Sequence, residues 1–215
     1  MGALVLSIHS ETPELRKIAK VVEALNEGAV ILYPTDTGFS LGCSLSNKEG
    51  IQRIQAIRNI PETHELTFLC ESLSNISEFA KVSNAAYRTI KRLIPGPYTF
   101  ILPASKLVPV FAQNPKKKTS GIRVPDNVLS QLLLIDLGAP MISISAKRDD
   151  EYFENYDELI KAYMHLVDVA VESDEYNFSG QSTIIDMTTD SFQIIREGAS
   201  IDKALQYIGL SEEAA

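Results

Sequence analysis

Short apolar runs and amphipathic stretches alternate from one end of the chain to the other. The continuous run Ala29–Tyr33 is typical of a buried strand. In contrast, Leu15, Ile18, Val22 and Leu25 recur at the spacing that places them on one face of a helix. Because the two patterns keep alternating, with no internal repeat and no Gly/Ser linker, the sequence predicts an α/β-type domain with a mixed sheet.

Turn and cap residues divide this pattern into elements. Thr12 can cap the first helix with Pro13 at its first position, and Gly28 closes it. The segment Pro34–Gly38 is expected to end the second strand, and Lys147–Tyr156 is expected to be a charged loop. The predicted strands are Ala3–Ile8, Ala29–Tyr33, Leu41–Leu45, Leu66–Cys70, Tyr98–Leu102, Ser120–Val124, Met141–Ser145, Val167–Val171, Ser182–Asp186 and Phe192–Arg196. The further predicted helices are Lys48–Ile57, Asn84–Leu93, Asn127–Leu137, Asp157–His165 and Ile201–Tyr207.

Composition places the chain among ordinary globular proteins. Its 215 residues are 45% hydrophobic and 22% charged, which excludes a disordered or fibrous protein. No apolar run approaches the roughly 20 residues that a membrane helix needs, and the amino-terminal segment lacks the features of a signal peptide. Two cysteines, Cys43 and Cys70, are too few for a disulfide scaffold, so we expect buried thiols in a cytoplasmic protein.

The net charge of −8 conceals an uneven distribution. Residues 81–123 contain nine basic side chains and no acidic one, whereas residues 149–175 contain ten acidic side chains and one lysine. The basic block favours an anionic ligand, although a solvated basic face fits equally well. The acidic block is expected to be a solvated helix face, with a lid over the ligand site as the alternative.

Hydroxyl side chains and cations follow several of the predicted strands. Such groups are suited to hold phosphate and carboxylate oxygens, but each segment alone is also typical of a turn or a cap. The histidines and cysteines show no metal-ligand spacing, and there is no Walker A motif, dinucleotide fingerprint or nucleophile elbow. The seven polar segments are Tyr33–Gly38, Arg58–Pro61, Pro95–Thr99, Gly121–Pro125, Ser143–Lys147, Gly180–Thr183 and Arg196–Gly198.

Taken together and in this order, these segments resemble the threonylcarbamoyl-AMP synthase (YrdC-like) family. The matching stretches are YPTDTGFSLG (33–42), IRNIP (57–61), PGPYT (95–99), GIRVP (121–125), SISAK (143–147), GQSTIID (180–186) and REG (196–198). The PTDT and PGPxT segments are the most specific. The IRxxP form and the REG ending are similar to the YciO-type branch, whose role is less settled than that of the synthases.

The resemblance implies one domain over residues 1–215, with its core at about 12–200, that is α+β in the strict sense. It implies a single twisted mixed β-sheet with flanking helices around a concave, positively charged cleft. Family members join L-threonine, bicarbonate and ATP into threonylcarbamoyl-AMP and pyrophosphate, a nucleotidyltransferase reaction, for the modification of adenosine-37 in tRNA. The resemblance also implies Mg²⁺ with the ATP and binding of double-stranded RNA.

The resemblance further assigns roles to individual residues. Thr35 matches the loop threonine that contacts the amino-acid substrate, and Arg123 matches the arginine that pairs with its carboxylate. The remaining matches divide into two groups: Ser182 and Thr183 line the threonine site, whereas Arg58, Ser143, Ser145, Lys147 and Arg196 lie near the nucleotide. Thr35 and Arg58 are the expected catalytic residues, and no metal ligand is expected.

Two departures from the family motifs bear on activity. The family's Lys-x-Arg-Pro motif is Arg58-Asn59-Ile60-Pro61 here, so one cation is lost at Ile60. The family's Ser-x-Asn motif ends in Lys147 rather than asparagine. We expect Lys147 to replace the missing arginine in part; the alternatives are that it fills the nucleotide site or faces solvent.

Three functions remain open at this level. The first is a threonylcarbamoyl-AMP synthase-like reaction, weakened by these departures. The second is a double-stranded RNA- or tRNA-binding paralogue without synthase activity, which would use Lys116, Lys117 and Lys118 on phosphates. Few aromatic residues accompany these lysines, so shape and backbone contacts are expected rather than base stacking. The third is a different adenylylating or carbamoylating enzyme.

Overall fold

A computed structural model describes residues 2–148, 151, 153, 155–174 and 178–208. Its ten strands form one sheet in the order β1-β8-β2-β3-β7-β4-β6-β5-β9-β10. The strands are β1 (Leu4–Ile8), β2 (Ile31–Thr35), β3 (Gly38–Ser44), β4 (Thr67–Leu69), β5 (Tyr98–Pro103), β6 (Thr119–Arg123), β7 (Met141–Ser145), β8 (Val169–Ser173), β9 (Thr183–Asp186) and β10 (Gln193–Arg196).

Seven α-helices flank this sheet in the described part of the chain. They are α1 (Leu15–Asn26), α2 (Lys48–Ile57), α3 (Leu73–Phe79), α4 (Asn84–Leu93), α5 (Val128–Leu137), α6 (Tyr156–Tyr163) and α7 (Ile201–Ile208). Several begin at a side-chain cap: Asn127, for example, accepts a hydrogen bond from the amide of Ser130 at 2.9 Å. No helix among the described residues is long and apolar enough to cross a bilayer. The predicted mixed sheet with flanking helices is therefore confirmed.

Parallel and antiparallel pairs are mixed within the sheet. The pairs β1–β8, β2–β8, β4–β6 and β5–β9 are parallel, and the pairs β2–β3, β3–β7, β4–β7, β5–β6 and β9–β10 are antiparallel. Alternate residues along each central strand face opposite sides, which creates two cores. Leu69 and Met141 belong to the core beneath α1 and α5, whereas Phe68, Ile142 and Phe100 belong to the larger core on the other face.

Two predictions about local structure were wrong, and one helix was not predicted. The first helix begins at Leu15 rather than at Pro13, and Glu14 rather than Thr12 is its N-cap, because the Thr12 amide and hydroxyl both lie 3.3 Å from Nδ1 of His9, which holds that segment in a turn. Strand β2 continues through Thr35, since the two residues Asp36 and Thr37 suffice to turn the chain into β3. Helix α3 was not predicted; it is one short helix with a single buried residue, so its apolar periodicity is weak. Other boundaries differ by a few residues.

Both cysteines are free and fully buried in the described core, as the sequence predicted. Burial raises the pKa of the Cys43 thiol to about 12 and raises the pKa of the Cys70 thiol further. Neither thiol lines the ligand cavity described below. Since a nucleophilic cysteine must be an accessible thiolate, these thiols have a packing role.

Gly42 shows how closely β2, β3 and β7 are packed. A Cβ atom at this position would lie 2.6 Å from Cε1 of Tyr33 and 2.9 Å from the carbonyl oxygen of Ile142. Tyr33 is completely buried and the carbonyl belongs to backbone, so neither neighbour has room to move. The close approach of the three strands therefore requires a glycine here.

We predict that Gly42→Ala lowers the free energy of unfolding by about 1–3 kcal/mol, the cost of overpacking a core. Urea denaturation monitored by circular dichroism measures this loss. Gly2→Ala is the matched control, because a Cβ atom there meets nothing within 4 Å. Equal stability of the two variants would contradict the packing described for Gly42.

Candidate ligand cavity on the sheet

A cavity of about 350 Å³ lies on the face of the sheet that α1 and α5 cover elsewhere. Seven consecutive strands, from β3 to β10 in the sheet order, each contribute at least one residue to its wall. These residues are Ser40 on β3, Ser143 and Ser145 on β7, Thr67 on β4, Arg123 on β6, Thr99 on β5, Ile184 on β9 and Arg196 on β10. The cavity is thus formed by the part of this sheet face that no helix covers.

Hydroxyl groups form the floor of this cavity because of the strand register. Ser143 and Ser145 are two residues apart on β7, so both side chains point to the same face. Ser145 lies opposite Ser40 on one neighbouring strand, and Ser143 lies opposite Thr67 on the other. Four hydroxyl side chains consequently stand side by side, able to donate and to accept hydrogen bonds.

Arg123 is the only arginine or lysine among the described residues that is buried. Its Nη2 group forms an ion pair with Asp36, its Nη1 group donates to the Thr37 hydroxyl, and its Nε group donates to the carbonyl of Gly96 at 3.4 Å. A guanidinium has five N–H groups, so these three contacts leave two for a ligand. The protein therefore holds Arg123 fixed in the wall of the cavity.

The turn between β2 and β3 supplies Thr37 rather than Thr35 to the wall of the cavity. Thr35 is fully buried, and its hydroxyl donates to the carbonyl of Gly38 at 2.7 Å. The Thr37 amide donates to the same Thr35 hydroxyl at 3.2 Å, which fixes the turn. Sequence reasoning singled out Thr35 and missed Thr37, although both lie in one hydroxyl-rich segment and Thr37 contacts Arg123.

A second polar group lies where β5 and β9 meet. The hydroxyls of Thr99 and Ser182 are 2.9 Å apart, and Arg196 donates to the Ser182 hydroxyl at 2.9 Å and to its carbonyl at 2.8 Å. Thr183, predicted with Ser182, lies outside the cavity wall. It is fully buried, donates to the carbonyl of Ala199 at 3.0 Å and accepts from the amide of Gly198 at 3.1 Å.

Arg58, at the end of α2, and Lys147, after β7, lie next to each other at the cavity rim. Arg58 donates through Nη1 to the Lys147 carbonyl, and the Tyr163 hydroxyl of α6 donates to the same carbonyl at 2.7 Å. Burial raises the pKa of Tyr163, so its hydroxyl stays protonated and remains a donor. Ile60, where the family motif has arginine, also lines the cavity.

In the described part of the chain, no residue of the acidic block joins the basic block at this cavity. Of the nine basic residues between positions 81 and 123, Arg123 alone lines it. Lys116, Lys117 and Lys118 are exposed on the turn before β6, outside its wall. Residues 149, 150, 152, 154 and 175 of the acidic block lie outside the described residues, and none of its described residues lines the cavity.

Two ionisable cavity residues, His64 and Glu65, were not predicted from the sequence. They belong to the segment between α2 and β4, and both are exposed. The Asn114 side chain donates from Nδ2 to Oε1 of Glu65 at 2.5 Å. No motif marks this pair, because only the fold brings the segment to the rim of the cavity.

We predict that Asp36→Ala lowers the free energy of unfolding by about 3–5 kcal/mol, since it leaves the Arg123 charge buried without its partner. Thermal and urea denaturation measure the loss. Arg53→Ala removes an exposed ion pair with Asp168 and is expected to cost about 1 kcal/mol or less. If the two variants lost equal stability, the buried pair would not have the role described for it.

Comparison with known proteins supports this reading of the fold. The Sua5/YciO/YrdC family, described as "Telomere recombination", matches residues 23–198. The Escherichia coli protein YciO, described as uncharacterised, is 40% identical over 195 residues, covering 89% of this chain and 93% of its own. The crystal structure of E. coli YciO aligns with a TM-score of 0.88 at 36% identity, covering 94% of this chain and 98% of that one.

Two proteins with a named activity or ligand are more distant. A Vibrio vulnificus threonylcarbamoyl-AMP synthase is 30% identical over 132 residues, which are 60% of this chain and 70% of that protein. Pyrococcus abyssi Sua5 complexed with L-threonine aligns with a TM-score of 0.88 at 23% identity, covering 96% of this chain and 61% of that one. The family match extends over most of the chain and the fold is shared throughout it, so the chain belongs to the Sua5/YciO/YrdC family.

Proposed function

We propose that the cavity binds ATP and L-threonine and supports a threonylcarbamoyl-AMP synthase-like reaction. The observation that carries this proposal is the meeting of four cations, Arg58, Arg123, Lys147 and Arg196, around a floor of serine and threonine hydroxyls. Guanidinium and ammonium groups are the usual partners of phosphate and carboxylate oxygens. A volume of about 350 Å³ is also in the range of small-molecule sites.

The proposed chemistry needs positioning and charge stabilisation rather than a protein nucleophile. The amine of L-threonine and bicarbonate form a carbamate with loss of water. A carbamate oxygen then attacks the α-phosphate of ATP, and pyrophosphate leaves. Both substrates are anionic, so their mutual repulsion must be offset while the reacting atoms are held together.

The fixed arginines and the rim cations suit different parts of this reaction. Asp36 and Thr37 hold Arg123 in place. Arg123 is therefore suited to bind a carboxylate that stays in one position during the reaction. Arg58 and Lys147 at the rim are suited to the triphosphate, whose charge moves outward as pyrophosphate leaves. Ser182 and Thr99, whose hydroxyls are hydrogen-bonded to each other, supply neutral donors, and Arg196 holds Ser182 in place.

Magnesium would accompany ATP in this proposal rather than occupy a protein site. No group of three or more histidine, cysteine, aspartate or glutamate side chains suited to a metal ion occurs in the described part of the chain. Glu65 is the carboxylate that lines the cavity. Mg²⁺ is commonly held by substrate phosphates and water with one or two carboxylates, so the available groups fit an ion carried in with the triphosphate.

The comparisons support this proposal from two directions. A threonylcarbamoyl-AMP synthase is among the sequence relatives, and a protein of the same fold, Sua5, was solved with L-threonine.

RNA binding is the second candidate function. It is favoured by three consecutive exposed lysines, Lys116 to Lys118, which no acidic side chain within the 81–123 block offsets.

We predict threonine-dependent release of pyrophosphate when the protein is mixed with ATP, L-threonine and bicarbonate. Lys147→Ala should raise KM for ATP about tenfold, the effect of removing one charged hydrogen bond. This substitution keeps the Lys147 carbonyl, so the contacts with Arg58 and Tyr163 persist. A coupled-enzyme assay for pyrophosphate measures both the rate of its release and the KM for ATP.

Lys91→Ala is the matched control for this experiment, because Lys91 is an exposed lysine of α4 outside the cavity. An unchanged KM in Lys147→Ala would show that Lys147 does not replace the missing arginine. If pyrophosphate were released only with an acceptor other than L-threonine, that acceptor would be the substrate in place of L-threonine. The absence of turnover with any acceptor would overturn the synthase proposal.

We further predict that Ile60→Arg lowers KM for ATP severalfold, because it restores a cation at a position that lines the cavity. Ile60→Met is the control for the change in side-chain length without charge. Steady-state kinetics at several ATP concentrations separates the effect on KM from an effect on kcat. If Ile60→Arg and Ile60→Met behaved alike, the charge at this position would have no part in binding ATP.

A further inference from the structure

The phenol of Tyr33 lies beside the floor of the cavity, on the same face of the sheet. Tyr33 is on β2, is 0% exposed and packs in the core under α1 and α5, so it does not line the cavity itself. Its hydroxyl oxygen is buried and has no hydrogen-bond partner within the described part of the chain. None of the roles proposed for the synthase reaction belongs to this residue.

Strand register directs this phenol towards Ser143. Tyr33 lies opposite Ser40 on β3. Gly42, two residues farther along β3, lies opposite Ser143 on β7, so these side chains share one face of the sheet. Because Gly42 has no side chain, the Tyr33 ring occupies the space above it: a Cβ atom there would lie 2.6 Å from Cε1 and 3.4 Å from Cζ, which carries the hydroxyl. The ring thus crosses β3 diagonally in the direction of Ser143.

The surroundings of the phenol agree with this direction. Burial raises the pKa of Tyr33, whereas the Ser143 hydroxyl and the Arg123 charge each lower that pKa by a smaller amount. The phenol therefore stays protonated at neutral pH and remains a hydrogen-bond donor. Since Ser143 and Arg123 both line the cavity, the phenol approaches the cavity wall from the side of the core.

The Tyr33 hydroxyl has no evident use in packing. A buried hydroxyl without a partner costs free energy, and few such groups occur in native proteins. Phenylalanine would fill the same space between β2, β3 and α5 without that cost. The tyrosine at this position therefore points to a role for the hydroxyl that the core does not supply.

Hydrogen-bond chemistry shows what the phenol can do for Ser143. A serine hydroxyl has one proton, which it can direct either into the cavity or away from it. Phosphate oxygens only accept hydrogen bonds, so they require a donor. A phenol that donates to the Ser143 oxygen occupies one of its lone pairs and leaves the serine proton for the cavity.

We propose that Tyr33 is a positioning residue for the nucleotide: its hydroxyl donates to Ser143, and Ser143 thereby donates to a phosphate oxygen of ATP. The inference rests on the proposed binding of ATP in the cavity and adds a residue that does not touch the substrate. Ser143 is suited to a phosphate because β7 leads from it to Lys147 at the rim, the cation proposed for the triphosphate.

Calorimetric titration with MgATP, in the absence of L-threonine and bicarbonate, tests this proposal. Tyr33→Phe should weaken ATP binding about fivefold, as expected for the loss of one neutral hydrogen bond. The same variant should unfold at the temperature of the parent protein or above it, because it removes an unpaired buried hydroxyl. A substitution that merely damaged the packing would lower the unfolding temperature together with the affinity.

Tyr156→Phe is the matched control for this change. The Tyr156 hydroxyl on α6 is also buried without a partner in the part of the chain that the structure describes. Tyr156 packs against the core on the opposite face of the sheet and does not line the cavity. Its substitution should leave both the affinity for ATP and the unfolding temperature close to those of the parent protein.

A double-mutant cycle separates positioning from packing. Ser143→Ala should weaken ATP binding about tenfold, the effect of losing a charged hydrogen bond. Tyr33→Phe added to Ser143→Ala should cause no further loss, since Tyr33 is proposed to act only through Ser143. The carbon-13 NMR signal of Tyr33 Cζ, assigned by its loss in Tyr33→Phe, should also shift when ATP is added to the parent protein.

Three results would overturn the proposal. The first is an affinity for ATP in Tyr33→Phe equal to that of the parent protein. The second is an additive loss in the double variant, which would give Tyr33 an effect independent of Ser143. The third is a parent protein that binds no ATP, which would overturn the proposed function as well. If ATP bound and Tyr33→Phe weakened it, but no pyrophosphate were released, the synthase reaction alone would be contradicted.

Discussion

The buried ion pair between Arg123 and Asp36 is the constraint on which the rest of the cavity depends. An arginine excluded from water requires a negative partner and further acceptors, because an isolated buried charge is strongly unfavourable. The partners of Arg123 come from the β2–β3 turn and from the carbonyl of Gly96 before β5. One guanidinium thereby fixes three separate parts of the chain relative to one another in the cavity wall.

The two-residue period of the strands explains why a polar cavity can exist on a sheet with two apolar cores. On β7, Met141 packs beneath α1 and α5, while Ser143 and Ser145 lie on the same face farther along the strand. The change from methionine to serine occurs where helical cover ends. Ile142, which lies between Met141 and Ser143, points to the opposite face and packs into the other core. A single strand thus contributes to both cores and to the cavity.

Sequence patterns predicted most elements and the family, but only part of the cavity. Strand and helix periodicity is local, and the seven segments carry family-specific residues, so both are visible in the chain. Thr37 and Glu65 gain their roles from contacts with residues distant in sequence, which no periodicity records. Thr35 and Thr183 were singled out as contacts of the threonine substrate. In the structure both hydroxyls donate to backbone carbonyls, and neither residue lines the cavity.

Charge counted along the chain proved a poor guide to charge in space. The basic block of residues 81–123 suggested one positive surface, yet the fold divides it among helix α4, the turn of Lys116–Lys118, the buried Arg123 and two loop positions, Lys81 and Lys106. These places act differently: Arg123 is buried in an ion pair with Asp36, whereas the lysines of the turn face solvent, where salt screens them. The cations that surround the cavity come instead from four separate segments, and their convergence is a property of the sheet order. Binding of an anion in this protein is therefore governed by which strands are neighbours rather than by the net charge of −8.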